Sequence, residues 1–169
     1  MITVLMATYQ GRQYLEQQLD TILAQTVPVK ILISDDGSDD GTREMLDNYA
    51  GWYPEQVVLH YRTEHTGGAA GNFFWLMQEA LKDEKNEYIL FSDQDDVWEN
   101  DKVSVMLHRM KVLEKGLGSA CPILLYSDME VVDEELYEIS PSFASYTHQD
   151  PDRSSFAELL VENQVTGGA

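Results

Sequence analysis

Apolar positions along the chain switch between two spacings. Residues 2–8, "ITVLMAT", form an unbroken apolar run of the kind expected for a strand buried on both faces. The next stretch, "GRQYLEQQLDTILAQT", places Leu15, Leu19, Ile22 and Leu23 on one helical stripe, and Pro28 closes the unit. "VKILISDD" predicts a second strand and "DDGTREMLDNYAGWY" a second helix, with Ser38, Asp39 and Asp40 as candidate caps. A third strand is expected over 57–62, "VVLHYR", then the loop "TEHTGG" and a helix carrying Phe73, Leu76, Met77, Ala80 and Leu81 on one face. "YILFSD" reads as a fourth strand, and "DKVSVMLHRMKVLEKG" sets Val103, Met106, Leu107, Met110 and Leu113 at helical spacing. "PILLYSDMEVVD" reads as a fifth strand and its continuation, and a short helix is expected near "SSFAELLVEN". The Met, Phe and Leu stripes are core. No repeat, linker or low-complexity segment interrupts the alternation, and residues 1–169 read as one domain.

Strands alternating with helices imply an α/β fold with a mostly parallel sheet and right-handed crossovers. Ligands of such sheets bind beyond the carboxyl ends of the strands. Here the strand tips carry, in order, Ala7, Thr8 and Tyr9; Asp35 and Asp36; His65 to Gly68; and Asp93 to Asp96. Parallel strands gather all four tips on one edge, which is the positional argument for a site.

Charge sharpens the picture of that edge. The chain has 30 acidic against 11 basic side chains and a formal charge of -19, which argues against nucleic acid as a partner because phosphate backbones need Lys and Arg. Most of the acids read as a solvated surface. The single cysteine, Cys121, excludes an intramolecular disulfide, and within "SACPILLYS" it reads as a small core residue. No apolar run approaches the ~18 residues of a membrane span. The N-terminus lacks the basic start and small-residue cleavage site of a signal peptide, so a cytoplasmic protein is expected.

The turn after the first strand, "TYQGRQYLE", holds only Gly11, so neither a dinucleotide fingerprint nor a phosphate loop is present. Carboxylates stand there instead, and bare carboxylates repel a diphosphate. A hard divalent cation, Mg²⁺ or Mn²⁺, resolves the conflict by binding acids on one side and phosphate oxygens on the other. Other readings compete. Asp36, Ser38, Asp40, Gly41 and Asp47 partly match a calcium loop, but a β-run precedes them and the last position lacks the usual Glu. "DQDDV" fits an aspartyl phosphotransferase with Asp93 as nucleophile, although that motif normally sits on a first strand. Turn and cap chemistry accounts for Asp39 and Asp40. A non-catalytic metal or nucleotide-binding module is the remaining alternative.

The pieces "VLMATYQGRQYLEQQLDTILAQT", "ILISDDGSDDGT", "GGAAGNFFWLMQEA", "YILFSDQDDVWENDKV" and "YSDMEVVDE" together resemble the family 2 nucleotide-sugar glycosyltransferases. The "DQDDVW…DK" form and the closing "NQVTGG" look most like the bacterial rhamnosyltransferase-like branch of cell-surface polysaccharide synthesis. The resemblance implies a GT-A (Rossmann-like) three-layer sandwich with a mostly parallel central sheet, and an inverting, metal-dependent sugar transfer. It implies that Ala7, Thr8 and Tyr9 line a pyrimidine base pocket, that Asp36 with Asp35 reads the base edge, and that Gly68 and Asn72 flank the nucleotide. Asp93 to Asp96 match the DxD region, in which the resemblance implies that Asp93, Gln94 and Asp95 contact the nucleotide sugar, with Asp95 holding the metal and Asp93 assisting it and lying close to ribose or sugar. Relatives often carry a basic residue where Gly71 stands, and a Cys where Gly168 stands. The family's catalytic base follows the stretch matching "VTGGA", so the resemblance places it beyond Ala169 and makes the chain the donor-binding portion of a longer enzyme, truncated at the C-terminus. Asp128, Glu130 and Asp133 are then expected along a strand and turn near the acceptor side. The expected partners are a UDP- or dTDP-linked sugar donor, a saccharide or lipid-linked saccharide acceptor and, at most, a second copy in a homodimer. The expected place is the cytoplasm, peripheral to the inner face of the cell membrane.

Overall fold

Four of the expected strands pair into one parallel sheet, in a computed structural model that describes residues 1–62, 67–118 and 121–150. In chain order the elements are β1 (Ile2–Thr8), α1 (Leu15–Leu23), β2 (Lys30–Asp35), α2 (Thr42–Trp52), β3 (Val57–Tyr61), α3 (Ala69–Ala80), β4 (Tyr88–Ser92) and α4 (Lys102–Leu117). A two-stranded ribbon, β5 (Val131–Val132) with β6 (Glu138–Ser140), and the single turn α5 (Phe143–Tyr146) follow.

The two-residue period of the strands divides the core between the sheet's faces. Val4, Met6, Ile31 and Ile33 point one way and pack with Leu15, Leu19 and Ile22 of α1, Met45 and Leu46 of α2, and Val103 of α4. Leu5 and Leu32 point the other way, against Leu76 and Ala80 of α3. This gives the three layers of an α/β sandwich. Full burial of each such aliphatic side chain contributes roughly 1.5–3 kcal/mol.

The strand order is β3-β2-β1-β4. The chain therefore steps outward from β1 to β3, then returns to the opposite flank of β1 by way of α3, on the other face. Such a reversal parts the loops leaving β1 and β4 and opens a crevice at their carboxyl ends. The register brings Thr8 beside Asp35, Asp35 beside Tyr61, and Met6 beside Ser92, so the four tips lie level.

Helix α1 does more than pack leucines. Gln18 Nε2 donates to Ser92 Oγ (2.7 Å) and to the Asp93 carbonyl (3.3 Å). The Trp98 amide donates to Thr21 Oγ1 (3.1 Å), Gln25 Nε2 donates to the Glu99 carbonyl (2.7 Å), and the Val103 amide donates to Gln25 Oε1 (3.0 Å). A buried polar stripe at helical spacing thus holds the acidic segment against α1, from the tip of β4 to the start of α4.

Several expectations are corrected. Helix α1 begins at Leu15, because the amides of Tyr14 and Leu15 both donate to the Gly11 carbonyl in a preceding turn. The residue capping α2 is Gly41, with no side-chain cap bond; of the candidate caps only Asp40 serves the first turn, accepting from the Thr42 amide and hydroxyl, while Ser38 and Asp39 turn to other partners. Leu81 caps α3 and is 73% exposed, having rotated off the buried face. On α4 only Val103 is fully buried; Met106, Leu107, Met110 and Leu113 are half-buried. The expected fifth strand reduces to Val131–Val132, since an apolar run specifies burial but not a ladder partner, and residues 121–130 form none. Cys121 is exposed rather than in the core. Asp128 lies outside any strand and accepts from the Ala144 amide (3.1 Å), and Asp133 accepts from the amides of Glu135 and Tyr137 in the turn between β5 and β6. The helix expected near "SSFAELLVEN" and residue His65 lie outside the described residues.

Candidate functional site

The crevice at the switch point is a cavity of about 570 Å³. From the tip of β1 it is lined by Ala7, Thr8 and Tyr9, from β2 by Asp36, and from the tip of β4 by Asp93, Gln94 and Asp95. The start of α3 closes the remaining side with Gly67, Gly68, Ala69 and Asn72. Of the strand-tip residues assigned to the site from sequence, Asp35 and Asp96 are not in this lining, and His65 and Thr66 fall outside the described residues. Gly67 falls within the expected tip from His65 to Gly68, whereas Ala69 carries no signal in the sequence beyond following the "GG" at a helix start. Gly68 adopts φ 123 and ψ 179, a region open almost only to glycine, and no atom would crowd a Cβ there, so the backbone turn itself requires it.

Asp35 is fully buried beneath the cavity. Its carboxylate accepts from Thr8 Oγ1, Ser38 Oγ, the amides of Gly37 and Ser38, and Arg43 Nε (2.6 Å). Burial alone would raise its pKa, but the hydrogen bonds from Ser38, Arg43 and the two amides outweigh that and hold it below the usual carboxylate range. Asp35 therefore knots the β2 tip together and has no surface for a ligand. Arg43 was not foreseen; it lies in the first turn of α2 and is brought back to Asp35 by the turn "DGSDDG".

The acids on the β4 tip are in the opposite condition. Asp93 is half-buried, and burial, with the nearby charge of Asp95, raises its pKa. Asp96 is raised to about 6 by burial and by the charges of Asp93 and Asp95, with Lys102 offsetting part of the effect. Asp95 is exposed. Asn72 is buried; its Nδ2 donates to the Ser34 carbonyl (2.9 Å) and its Oδ1 has no hydrogen-bond partner among the described residues. Gln94 spends its amide on the backbone of Tyr9: the Tyr9 amide donates to Oε1 (2.9 Å) and Nε2 donates to the Tyr9 carbonyl (3.0 Å).

The donor set suits a hard divalent cation. Among the described lining residues the available groups are oxygens, three of them carboxylates, and no Lys or Arg is present. Among the described residues no group of three His, Cys, Asp or Glu makes a ready cage. Cations of the Mg²⁺ type need none, because they keep one or two carboxylates and complete their shell with phosphate oxygens and water.

Comparison with known proteins follows the same lines. The model of the family described as "Glycosyl transferase family 2" matches residues 3–156. The chain is 39% identical over 99 residues to the dTDP-rhamnosyl transferase RfbG of Shigella flexneri, covering 58% of this chain and 34% of that protein. It is 32% identical over 111 residues to the putative teichuronic acid biosynthesis glycosyltransferase TuaG of Bacillus subtilis, covering 65% of this chain and 42% of that protein. It thus spans less than half the length of these curated relatives. In fold it is similar to S. aureus TarS, with a TM-score of 0.54 at 18% identity over 83% of this chain and 27% of that one. A mannosyltransferase from Pyrobaculum calidifontis, solved with GDP-Man and Mn²⁺, gives a TM-score of 0.52 at 26% identity over 63% of this chain and 31% of that one. Neither the aspartyl phosphotransferase reading nor the calcium-loop reading gains support from these matches. The architecture and a family match over nearly the whole length agree, and the chain belongs to glycosyl transferase family 2.

Proposed function

We propose that the cavity is the donor site of a glycosyltransferase that takes a sugar from a nucleoside-diphosphate sugar and serves bacterial cell-surface polysaccharide synthesis. The observation that carries this reading is the lining itself: the loops of β1, β2 and β4 and the start of α3 converge on one crevice with three carboxylates and, among the described lining residues, no cationic side chain. A free diphosphate would be repelled there, whereas a metal-bound one would be held. The names of RfbG and TuaG support the class of pathway, and the family's nucleotide-sugar chemistry supports a UDP or dTDP donor.

In this reading Ala7, Thr8 and Tyr9 hold the base, Asp36 accepts from its edge, and Gly68 and Asn72 flank the nucleotide. The unpartnered Asn72 Oδ1 offers an acceptor to a ligand N–H or O–H. Asp93 faces ribose or sugar, and Asp95, with Asp93 behind it, holds Mn²⁺ or Mg²⁺. The cation, when bound, supplies neutralisation of the charge left on the departing diphosphate. The transfer is inverting: an acceptor hydroxyl attacks the anomeric carbon from the face opposite the diphosphate, the bond to the diphosphate oxygen breaks, and the hydroxyl proton leaves to a base. The acceptor is a saccharide or lipid-linked saccharide, met at the inner face of the membrane; no helix among the described residues is long and apolar enough to cross it.

Calorimetric titration of the chain with UDP and with dTDP, with and without Mn²⁺, tests the reading. At least one nucleotide is expected to bind, and at least tenfold more tightly with Mn²⁺ present. Asp95→Ala is expected to remove the Mn²⁺-dependent gain while leaving the far-ultraviolet circular dichroism unchanged. Absence of binding by either nucleotide in both conditions would sink the donor-site reading, and an undiminished Mn²⁺ gain in Asp95→Ala would remove Asp95 from its role.

A further inference from the structure

The turn after β1 has an unusual set of hydrogen-bond partners. Four successive backbone amides there donate to side chains from elsewhere in the chain. The Gln10 amide donates to Ser38 Oγ (2.9 Å), the Gly11 amide to Thr42 Oγ1 (3.0 Å) and the Arg12 amide to Asp40 Oδ2 (3.0 Å). These three tie the turn to the loop after β2 and the first residue of α2. The fourth, the Tyr9 amide, is taken by Gln94, which returns a bond from Nε2 to the Tyr9 carbonyl. Among these amide contacts, Gln94 alone reaches from the acidic tip of β4.

We propose that Gln94 is a positioning residue whose side-chain amide latches the β1 turn to the acidic turn after β4, so that the wall around Tyr9 and the carboxylates of Asp93 and Asp95 are held as one unit. The proposal rests on the donor-site reading above and reassigns Gln94 from ligand contact to support. Two bonds to the amide and carbonyl of one residue fix both the distance and the orientation of the turn. Only a glutamine side chain meets both needs: glutamate offers no donor for the Tyr9 carbonyl, and asparagine is one methylene short.

Gly11 supplies the complementary half. A Cβ at that position would stand 2.4 Å from Gln94 Oε1 and 2.7 Å from its Cδ. The bare backbone of Gly11 is therefore what lets the Gln94 amide lie flat against the turn. Gln94 lines the cavity and joins Tyr9, on the side that would hold the base, to the turn carrying Asp93 and Asp95, on the side that would face the diphosphate. A ligand spanning both parts gains affinity when the two are already in place, because less ordering remains to be done on binding.

The test uses Gln94→Met, which keeps size and removes both bonds, Gly11→Ala, which keeps the Gln94 amide but displaces it, and the double variant. Nucleotide binding is measured by calorimetry with UDP and dTDP in Mn²⁺, thermal midpoint by circular dichroism, and exchange of the Tyr9 amide by NMR. Each single variant is expected to bind nucleotide about tenfold more weakly at a thermal midpoint within about 3 °C of the unmodified chain. The double variant is expected to be no weaker than the weaker single, since both changes undo the same contact. The Tyr9 amide, protected in the unmodified chain, is expected to exchange faster in all three. Nucleotide affinities within twofold of the unmodified chain, additive losses in the double variant, or an unprotected Tyr9 amide at the outset would each overturn the latch. Failure of the unmodified chain to bind any nucleotide would overturn the donor-site reading and the latch's role with it.

Discussion

At Asp35 a fully buried carboxylate stays ionised because five donors, Thr8, Ser38, Arg43 and the amides of Gly37 and Ser38, surround it, while its neighbour Asp36 lines the cavity. The adjacent pair was legible as acidic chemistry at a strand tip, but not as one knot and one lining residue. That division depends on Arg43, whose approach is a product of the folded turn and leaves no local mark. Asp35→Asn keeps the volume but breaks the pairing with Arg43 and opposes an amide NH₂ to surrounding donors, so a loss of about 2–4 kcal/mol is expected in urea unfolding at pH 7. The pH dependence has a definite sign. Asp35 is depressed in the folded chain, so its contribution is present above its ordinary value of 3.8 and is lost as pH falls through the lower folded value. The gap between the unmodified chain and Asp35→Asn should therefore close below about pH 4. A gap that persists unchanged to pH 2 would show that ionisation of Asp35 is not what the surrounding donors stabilise.

Helix α1 illustrates what a pattern of apolar positions conveys and what it hides. Its leucine stripe was readable, and Leu15, Leu19 and Ile22 are fully buried. The second stripe, Gln18 and Thr21 on the helix and Gln25 just past its end, looks in sequence like a solvated face, yet Gln18 and Gln25 are buried against the segment running from Ser92 to Val103. Glutamine is read as exposed because burying it costs unless each polar group is paired, and pairing is visible only in three dimensions. The same blindness explains the lost fifth strand, where an apolar run was readable and its missing ladder partner was not. Gln25→Leu preserves the helix but leaves the Val103 amide unpaired and the Glu99 carbonyl with the Lys102 amide alone, so destabilisation of about 1–3 kcal/mol is expected. Faster amide exchange should appear at Val103 while the β1 and β2 amides stay protected. If stability and exchange at Val103 are unchanged, the stripe is ornamental to the acidic segment rather than its support.

For the molecule as a whole, strand tips on one edge were legible from the alternation of strands and helices, whereas the order β3-β2-β1-β4 was not, since nothing local says to which flank of β1 the chain returns. That order decides that the acids of β4 meet those of β2 across β1, within a chain already carrying a formal charge of -19. Two repulsions of different range follow. The diffuse one acts over the whole surface and is screened by any salt, the Debye length shrinking from about 30 Å at 0.01 M to about 8 Å at 0.15 M. The local one acts among the carboxylates of the β4 tip, where Asp93 in the cavity lining and Asp96 beside it are raised by burial and by their acidic neighbours, and it is too close-ranged for monovalent salt to remove. Raising KCl from 0.01 to 0.15 M is expected to stabilise the chain by on the order of 1 kcal/mol, moving Tm up by about 2–4 °C. At constant 0.15 M KCl the diffuse part is already spent, so a further rise in Tm on adding MnCl₂ reports the cavity alone, growing with concentration as expected for binding to the folded state. Asp95→Ala should keep the KCl response and lose the MnCl₂ response. A Tm that falls or stands still with KCl would mean that the acidic surface does not strain the fold, and equal MnCl₂ responses in both chains would place the divalent cation elsewhere on that surface.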